Sequence, residues 1–190
     1  MILASGSRYK IELLERLCIP FTSCAPNIDE TPHEGESVRS LVSRLAQTKA
    51  EKIAKNEPKR WVLGADQSAE IDGKILAKPG TIEKAAEQLA QLNGREVVFH
   101  NCVAIVNLDR NISEFLETEV RAKLRPLSQA DIYAYIMAEK PLDCVGSFKC
   151  EGLGISLFEY IESDDPTGLV GLPLISVSSL LRKTGYLKTR

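Results

Sequence analysis

The groups in this chain best suited to handling a polyanion are a serine-rich turn, three scattered lysines and one aspartate at the end of an apolar run. The turn Ser5-Gly6-Ser7 follows Ile2-Leu3-Ala4 and precedes a segment with helical spacing. A strand, a tight turn and a helix in succession aim free backbone N–H groups and the positive helix end at one point, which suits an anion. Arg8 and Lys10 fall in the first helical turn, where cations oppose the helix dipole unless an anion lies between them. Read alone, the segment also fits a capped surface helix with two solvated bases. Asp66 follows Trp61-Val62-Leu63-Gly64-Ala65, and the outlet of a buried strand is where open α/β sheets put ligand chemistry. A carboxylate there can position a divalent metal or act as a base toward water. It can equally open the following turn. Lys49 extends the apolar stripe of a helix, from which its ammonium can enter a cleft or snorkel to solvent. Lys78, held extended by Pro79, has the same two options.

Composition limits the alternatives. Two histidines far apart and five cysteines without a C-x-x-C pair leave little for zinc or histidine-centred catalysis. The cysteines read as reduced thiols. A net charge of −2 gives no global electrostatic case for DNA or RNA, so cations must be gathered locally. No run of about 18 apolar residues is present to span a membrane. The opening Met1-Ile2-Leu3-Ala4-Ser5 lacks the charged and apolar regions of a signal peptide, and a cytoplasmic location is expected.

The elements that must position these groups follow from periodicity and punctuation. One domain over 1–190 is expected, with 44% hydrophobic residues to fill its core. Ser7 caps an expected helix over about 8–17, and a strand over 21–25 follows. Asp29 and Glu30 lie in a loop ended by Pro32. Ser37 opens a helix carrying Val38, Leu41, Val42 and Leu45 at helical spacing. The strand at 61–65 is expected to deliver Asp66 and Gln67 at its C-terminal end. Asp72-Gly73 marks a hairpin between two short strands, closed by Lys78-Pro79. Thr81 caps a helix stopped by Asn93-Gly94, and longer strands follow near 97–106 and 117–124. Ser128 and Asp131 form a capping box for a helix ending before Pro141. The small residues of 144–154 suit close approach of backbone to a ligand. A strand near 155–161 and a helix near 174–184 complete a mixed α/β chain.

In combination these motifs resemble the Maf nucleotide pyrophosphatases. Leu3-Ala4-Ser5-Gly6-Ser7, Asp29-Glu30-Thr31-Pro32, Lys49-Ala50, Gly64-Ala65-Asp66-Gln67, Lys78-Pro79, Gly146-Ser147-Phe148-Lys149 and Val170-Gly171-Leu172-Pro173 match in order over essentially the whole chain. The resemblance implies a two-lobed α/β fold on an elongated mixed sheet, with a nucleotide cleft between the lobes. It implies hydrolysis between the α- and β-phosphates of a nucleoside triphosphate, with Mg²⁺ or Mn²⁺. Asp66 matches the catalytic acid, and Ser7, Lys10, Lys49 and Lys78 match the phosphate-side residues. Glu30 and Asp66 are the candidate metal contacts, with Asp29 beside them. A homodimer is also implied.

Three positions separate the branches of that family: Tyr9, Gln67 and Glu151. The 7-methyl-GTP branch typically has Trp, Gln and Glu there, and the dTTP/UTP branch Arg, Thr and Gln. A base methylated at N7 is a cation, which favours an aromatic face and an acidic partner. Tyr9 is a weaker face than Trp. Lys10 replaces the usual Arg, and Arg8 replaces the usual Pro and could offset that loss. The competing readings are a dTTP/UTP-type or inosine-type pyrophosphatase and a non-catalytic regulator of septum formation.

Overall fold

Three long antiparallel strands form the spine of the molecule, β3 (Val62–Ile71), β5 (Glu96–Asn107) and β6 (Ile112–Leu124). The computed structural model describes residues 1–187. Around the spine lie β1 (Ile2–Ala4), β2 (Thr22–Ser23), β4 (Lys74–Leu76) and β7 (Phe158–Ser163). The sheet has the order β2-β1-β3-β5-β6-β7, with β4 paired to β3. β1 is parallel to β3 and the spine is antiparallel, so the sheet is mixed, as expected. Among the described residues five α-helices flank it: α1 (Arg8–Glu15), α2 (Val38–Asn56), α3 (Ile82–Leu92), α4 (Gln129–Glu139) and α5 (Leu174–Lys183).

The main correction concerns β3. Its strand does not stop before Asp66 but runs on to Ile71, because β5 supplies a continuous antiparallel partner from Val62↔Val106 to Glu70↔Val98. What ends early is β1, whose pairing stops at Ala4↔Gly64, while β4 begins pairing only at Ala69↔Leu76. Residues 65–68 are therefore paired on one edge and open on the other. Asp66 and Gln67 lie at this gap.

Smaller differences have local causes. α1 stops at Glu15 because Cys18 turns into the left-handed region just before Pro20. β2 is only two exposed residues on the sheet edge. β6 starts at Ile112 because Asp109–Asn111 form a tight turn that lets Asn107 pair with Ile112. The last strand is Phe158–Ser163, because 155–157 is wound into a 3₁₀ turn. The hairpin at Asp72-Gly73 is as expected, with both residues at positive φ, the geometry that matches strand twist.

Alternation along the spine sorts the core. Ile2, Val62, Cys102 and Ala104 face α2 and pack on Val42 and Ala46. On the opposite face, Leu3, Leu63, Val103 and Ile105 pack under α1 and α5. Further along that face, Ala69, Phe99 and Val120 join α3 and α4 in a separate apolar cluster. Two apolar lobes thus share one sheet. Between them Gln67, Asn101 and Thr118 form a polar row across the three spine strands.

α2 lies very close to β3 at Gly64. A Cβ there would come within 2.1 Å of the Ala46 carbonyl oxygen and 2.9 Å of Ala50. Only glycine permits this approach, which brings Lys49 on α2 to Asp66 on β3.

Candidate active site

Lys49 is mostly buried, with only 9% of its side chain exposed. Its Nζ stands 2.6 Å from Asp66 Oδ1 and 2.8 Å from Glu30 Oε1. The sequence alternatives for Lys49 are thereby decided: its ammonium enters the cleft. Burial alone would lower its pKa, but the Asp66 and Glu30 carboxylates outweigh that and hold it above the ordinary lysine value. Glu30 arrives from the loop before α2. That loop is braced by Arg44, which donates to both oxygens of Glu36 and to the Thr31 carbonyl.

The turn at α1 is built for an anion. Ser7 occupies the N-cap position but makes no side-chain cap hydrogen bond, so its hydroxyl remains free for a ligand. Ser5 Oγ instead accepts from the Ser7 N–H at 3.1 Å and stiffens the turn. No acid in the first turn satisfies the helix end. Lys10 reaches across to the open edge of β3, donating to the Ala65 carbonyl at 3.1 Å. Burial pushes its pKa below the ordinary value, against the pull of Asp66 and Glu30, and Lys49 and Lys78 lower it further. Lys78, exposed at the rim beyond β4, thus belongs to the same field.

The other side of the cleft carries Tyr9, Gln67 and Glu151. The Tyr9 hydroxyl donates to Asp143 at 3.3 Å and lies 3.8 Å from Cys144 Sγ. Burial, with the charges of Asp143 and Glu151 nearby, pushes the phenol's pKa well above its usual value. Gln67 Nε2 donates to the Gly168 carbonyl at 2.5 Å and to Leu169 at 3.2 Å.

All nine expected site residues line one cavity of about 860 Å³: Ser7, Tyr9, Lys10, Glu30, Lys49, Asp66, Gln67, Lys78 and Glu151. That volume lies in the range of small-ligand sites. Arg8 is the exception among the bases considered. It pairs with Glu12 at 3.3 Å and stands over the Tyr9 ring, 5.2 Å from its centroid, so it does not replace an arginine on the phosphate side. Asp29 borders the same cavity, with its Oδ1 engaged within its own loop, accepting the Thr31 N–H at 2.9 Å.

Sequence reasoning missed Asp143, Arg44 and the Ala65 carbonyl. Asp143 lies in an irregular segment, Arg44 acts through a loop, and a backbone acceptor becomes available only where strand pairing fails. None of these leaves a local sequence signal.

The donor set suits a hard divalent cation. Glu30 and Asp66 already converge on a single positive charge, and carboxylate oxygens are the donors such an ion prefers. Among the described residues no three His, Cys, Asp or Glu side chains come together to form a closed metal site.

The family described as Maf-like protein matches residues 1–184. A 7-methyl-GTP pyrophosphatase of Xanthomonas oryzae pv. oryzae is 50% identical over 186 residues, covering 98% of this chain and 97% of its own. One from Polaromonas sp. is 47% identical over 185 residues, covering 97% of this chain and 84% of its own. Among solved structures, the Staphylococcus aureus Ham1 protein aligns with a TM-score of 0.46 at 17% identity, over 65% of this chain and 70% of that one. That last likeness is too slight to bear on the site.

Proposed function

The chain belongs to the Maf-like protein family, and from that premise we propose that it is a pyrophosphatase that hydrolyses 7-methyl-GTP to 7-methyl-GMP and diphosphate. The observation that carries the reading is the meeting of Lys10, Lys49 and Lys78 around Asp66 in one cavity whose far side holds Tyr9 and Glu151.

The chemistry follows from charge. A triphosphate brings about four negative charges, and attack at the α-phosphorus adds charge to the departing diphosphate. Three lysines, the Ser7 hydroxyl and the uncapped N-terminus of α1 stabilise that charge in a fixed array that needs no reorganisation. Asp66 orients the attacking water and accepts its proton. Lys49 keeps that carboxylate in position. Glu30 and Asp66 would hold Mg²⁺ or Mn²⁺ together with phosphate oxygens. A bound divalent ion supplies neutralisation of phosphate charge.

Tyr9, Glu151 and Gln67 select the base. A methylated guanine is cationic, and a cation on an aromatic face gains up to about 2 kcal/mol when desolvated. Glu151 offers an acceptor to guanine's N1–H and N2 amine and complements the added charge. Asp143 contributes a second anion on the same side. No helix among the described residues is long and apolar enough to cross a membrane. We extend the reading to a cytoplasmic homodimer, checked by hydrodynamic mass.

The test is diphosphate release from a panel of nucleotides, with and without Mg²⁺. The reading requires a higher kcat/KM for 7-methyl-GTP than for GTP, dTTP or UTP, and little turnover without metal. If dTTP or UTP is the best substrate, the base assignment is wrong.

A further inference from the structure

A polar row lies in the seam between the two apolar lobes. Gln67 is opposite Asn101, and Asn101 is opposite Thr118, so the three side chains share one face of the sheet. The turn at 166–169 covers them. Gln67 is tied to the Gly168 and Leu169 carbonyls. Asn101 is only 1% exposed, yet neither its carboxamide nitrogen nor its oxygen has a partner, and the Thr118 hydroxyl is likewise unpartnered. Buried polar groups left unpaired are rare in native folds, because each has lost its water without replacing it. Such a group makes sense where a second arrangement of its neighbours uses it.

The neighbour is Gly168. A Cβ at that position would lie 3.1 Å from Asn101 Nδ2 and 3.2 Å from Val120 Cγ2, so the orphaned donor packs close to the Gly168 α-carbon. The Gly168 carbonyl is also the principal anchor of Gln67, at 2.5 Å. Two carboxamides on adjacent strands thus flank Gly168, and only that of Gln67 bonds its carbonyl.

We propose that Asn101 is a positioning residue for Gln67. When a nucleotide base draws the Gln67 carboxamide toward the cavity, Asn101 Nδ2 takes over the Gly168 carbonyl. Without this exchange, a base that draws Gln67 Nε2 away would strip the Gly168 carbonyl of its side-chain donor. With it, Gln67 changes partner while the covering turn stays held to the sheet. The inference rests on the reading of Gln67 as a base-side group.

A double-mutant cycle tests it. Asn101→Leu keeps the branched outline of the side chain and removes the donor, so the melting temperature should hold or rise, since an orphaned amide has been replaced by an apolar group. KM for the best nucleotide should rise about tenfold while kcat stays within about threefold, as expected when binding is lost and chemistry is kept. In a Gln67→Ala background the same substitution should change KM less than about twofold, because no carboxamide remains to be released. Asn101→Ser, which retains a donor, should give an intermediate KM, and it carries the same cycle if the leucine variant does not fold. Wild-type KM in Asn101→Leu, or equal losses in both backgrounds, would overturn the proposal. The cycle is run on whichever triphosphate releases diphosphate fastest. A mistaken base assignment then changes the substrate used but leaves the coupling between Asn101 and Gln67 readable.

Discussion

Asp66 shares the Lys49 ammonium with Glu30, at 2.6 and 2.8 Å, although the three residues come from a strand, a helix and a loop. The arrangement depends on Gly64, two residues before Asp66, where the absence of a side chain lets α2 settle against β3. The one cation and its two carboxylates carry a net charge of about −1 in the resting protein. A triphosphate with its metal alters that balance by adding charge of both signs.

Asp66→Asn tests the base directly. The amide oxygen can still accept from Lys49, so the fold should persist, with an unchanged circular dichroism spectrum. Turnover measured by diphosphate release should fall by roughly 10²–10⁴, the contribution of a positioned general base. Near-normal hydrolysis would remove Asp66 from the mechanism.

Gly64→Ala tests the approach of α2. The added methyl would meet the Ala46 carbonyl at 2.1 Å, and backbone cannot yield as a flexible side chain can. Overpacking of this kind costs about 1–3 kcal/mol, and chemical denaturation should show a loss at the upper end. Turnover should also fall, because Lys49 and Asp66 are pushed apart. A variant with native stability and full activity would contradict the close packing.

Lys10 links stability to pH. Burial holds its folded pKa below the unfolded 10.5, so between those two values the unfolded chain binds more protons and wild-type stability rises with pH. Below the folded pKa the cost of burying the charge is felt in full. Lys10→Met should therefore melt higher than wild type at neutral pH, with the gap narrowing as pH approaches 10.5. Added diphosphate should raise the melting temperature of the wild type more than that of the variant. A variant that melts lower at neutral pH would mean that Asp66 and Glu30 outweigh burial.

Position 9 should tune the choice of base. Tyr9→Trp enlarges the aromatic face and should lower KM for 7-methyl-GTP severalfold, a change of about 1 kcal/mol in cation–π attraction. Tyr9→Arg should raise it and erase the preference over GTP. Equal responses of GTP and 7-methyl-GTP to both changes would separate Tyr9 from recognition of charge.

Much of this architecture was legible because local signals agreed with the tertiary outcome. Ser37, Thr81 and Ser128 cap the helices they were expected to cap, each accepting from a backbone N–H three residues on. The length of β3 was hidden because Asp66, Gln67 and Ser68 carry no strand signature, and only pairing with β5 keeps them extended. The site was legible as a set of residues, since all nine line one cavity. Its wiring was not. That Lys49 bridges two acids, or that Gln67 ties to the turn at 168–169, depends on contacts between segments distant in the chain, which no spacing encodes.

Asp66 and Gln67 are consecutive, and a strand turns consecutive side chains to opposite faces. Asp66 looks toward α2 and Lys49, while Gln67 looks toward the turn at 166–169. On the proposed reading, the carboxylate that activates water and the carboxamide that faces the base are therefore held by different walls, with a single peptide link as their common boundary. On that reading a lineage can exchange the residue at position 67 to suit another nucleobase without turning its neighbour, Asp66, away from Lys49.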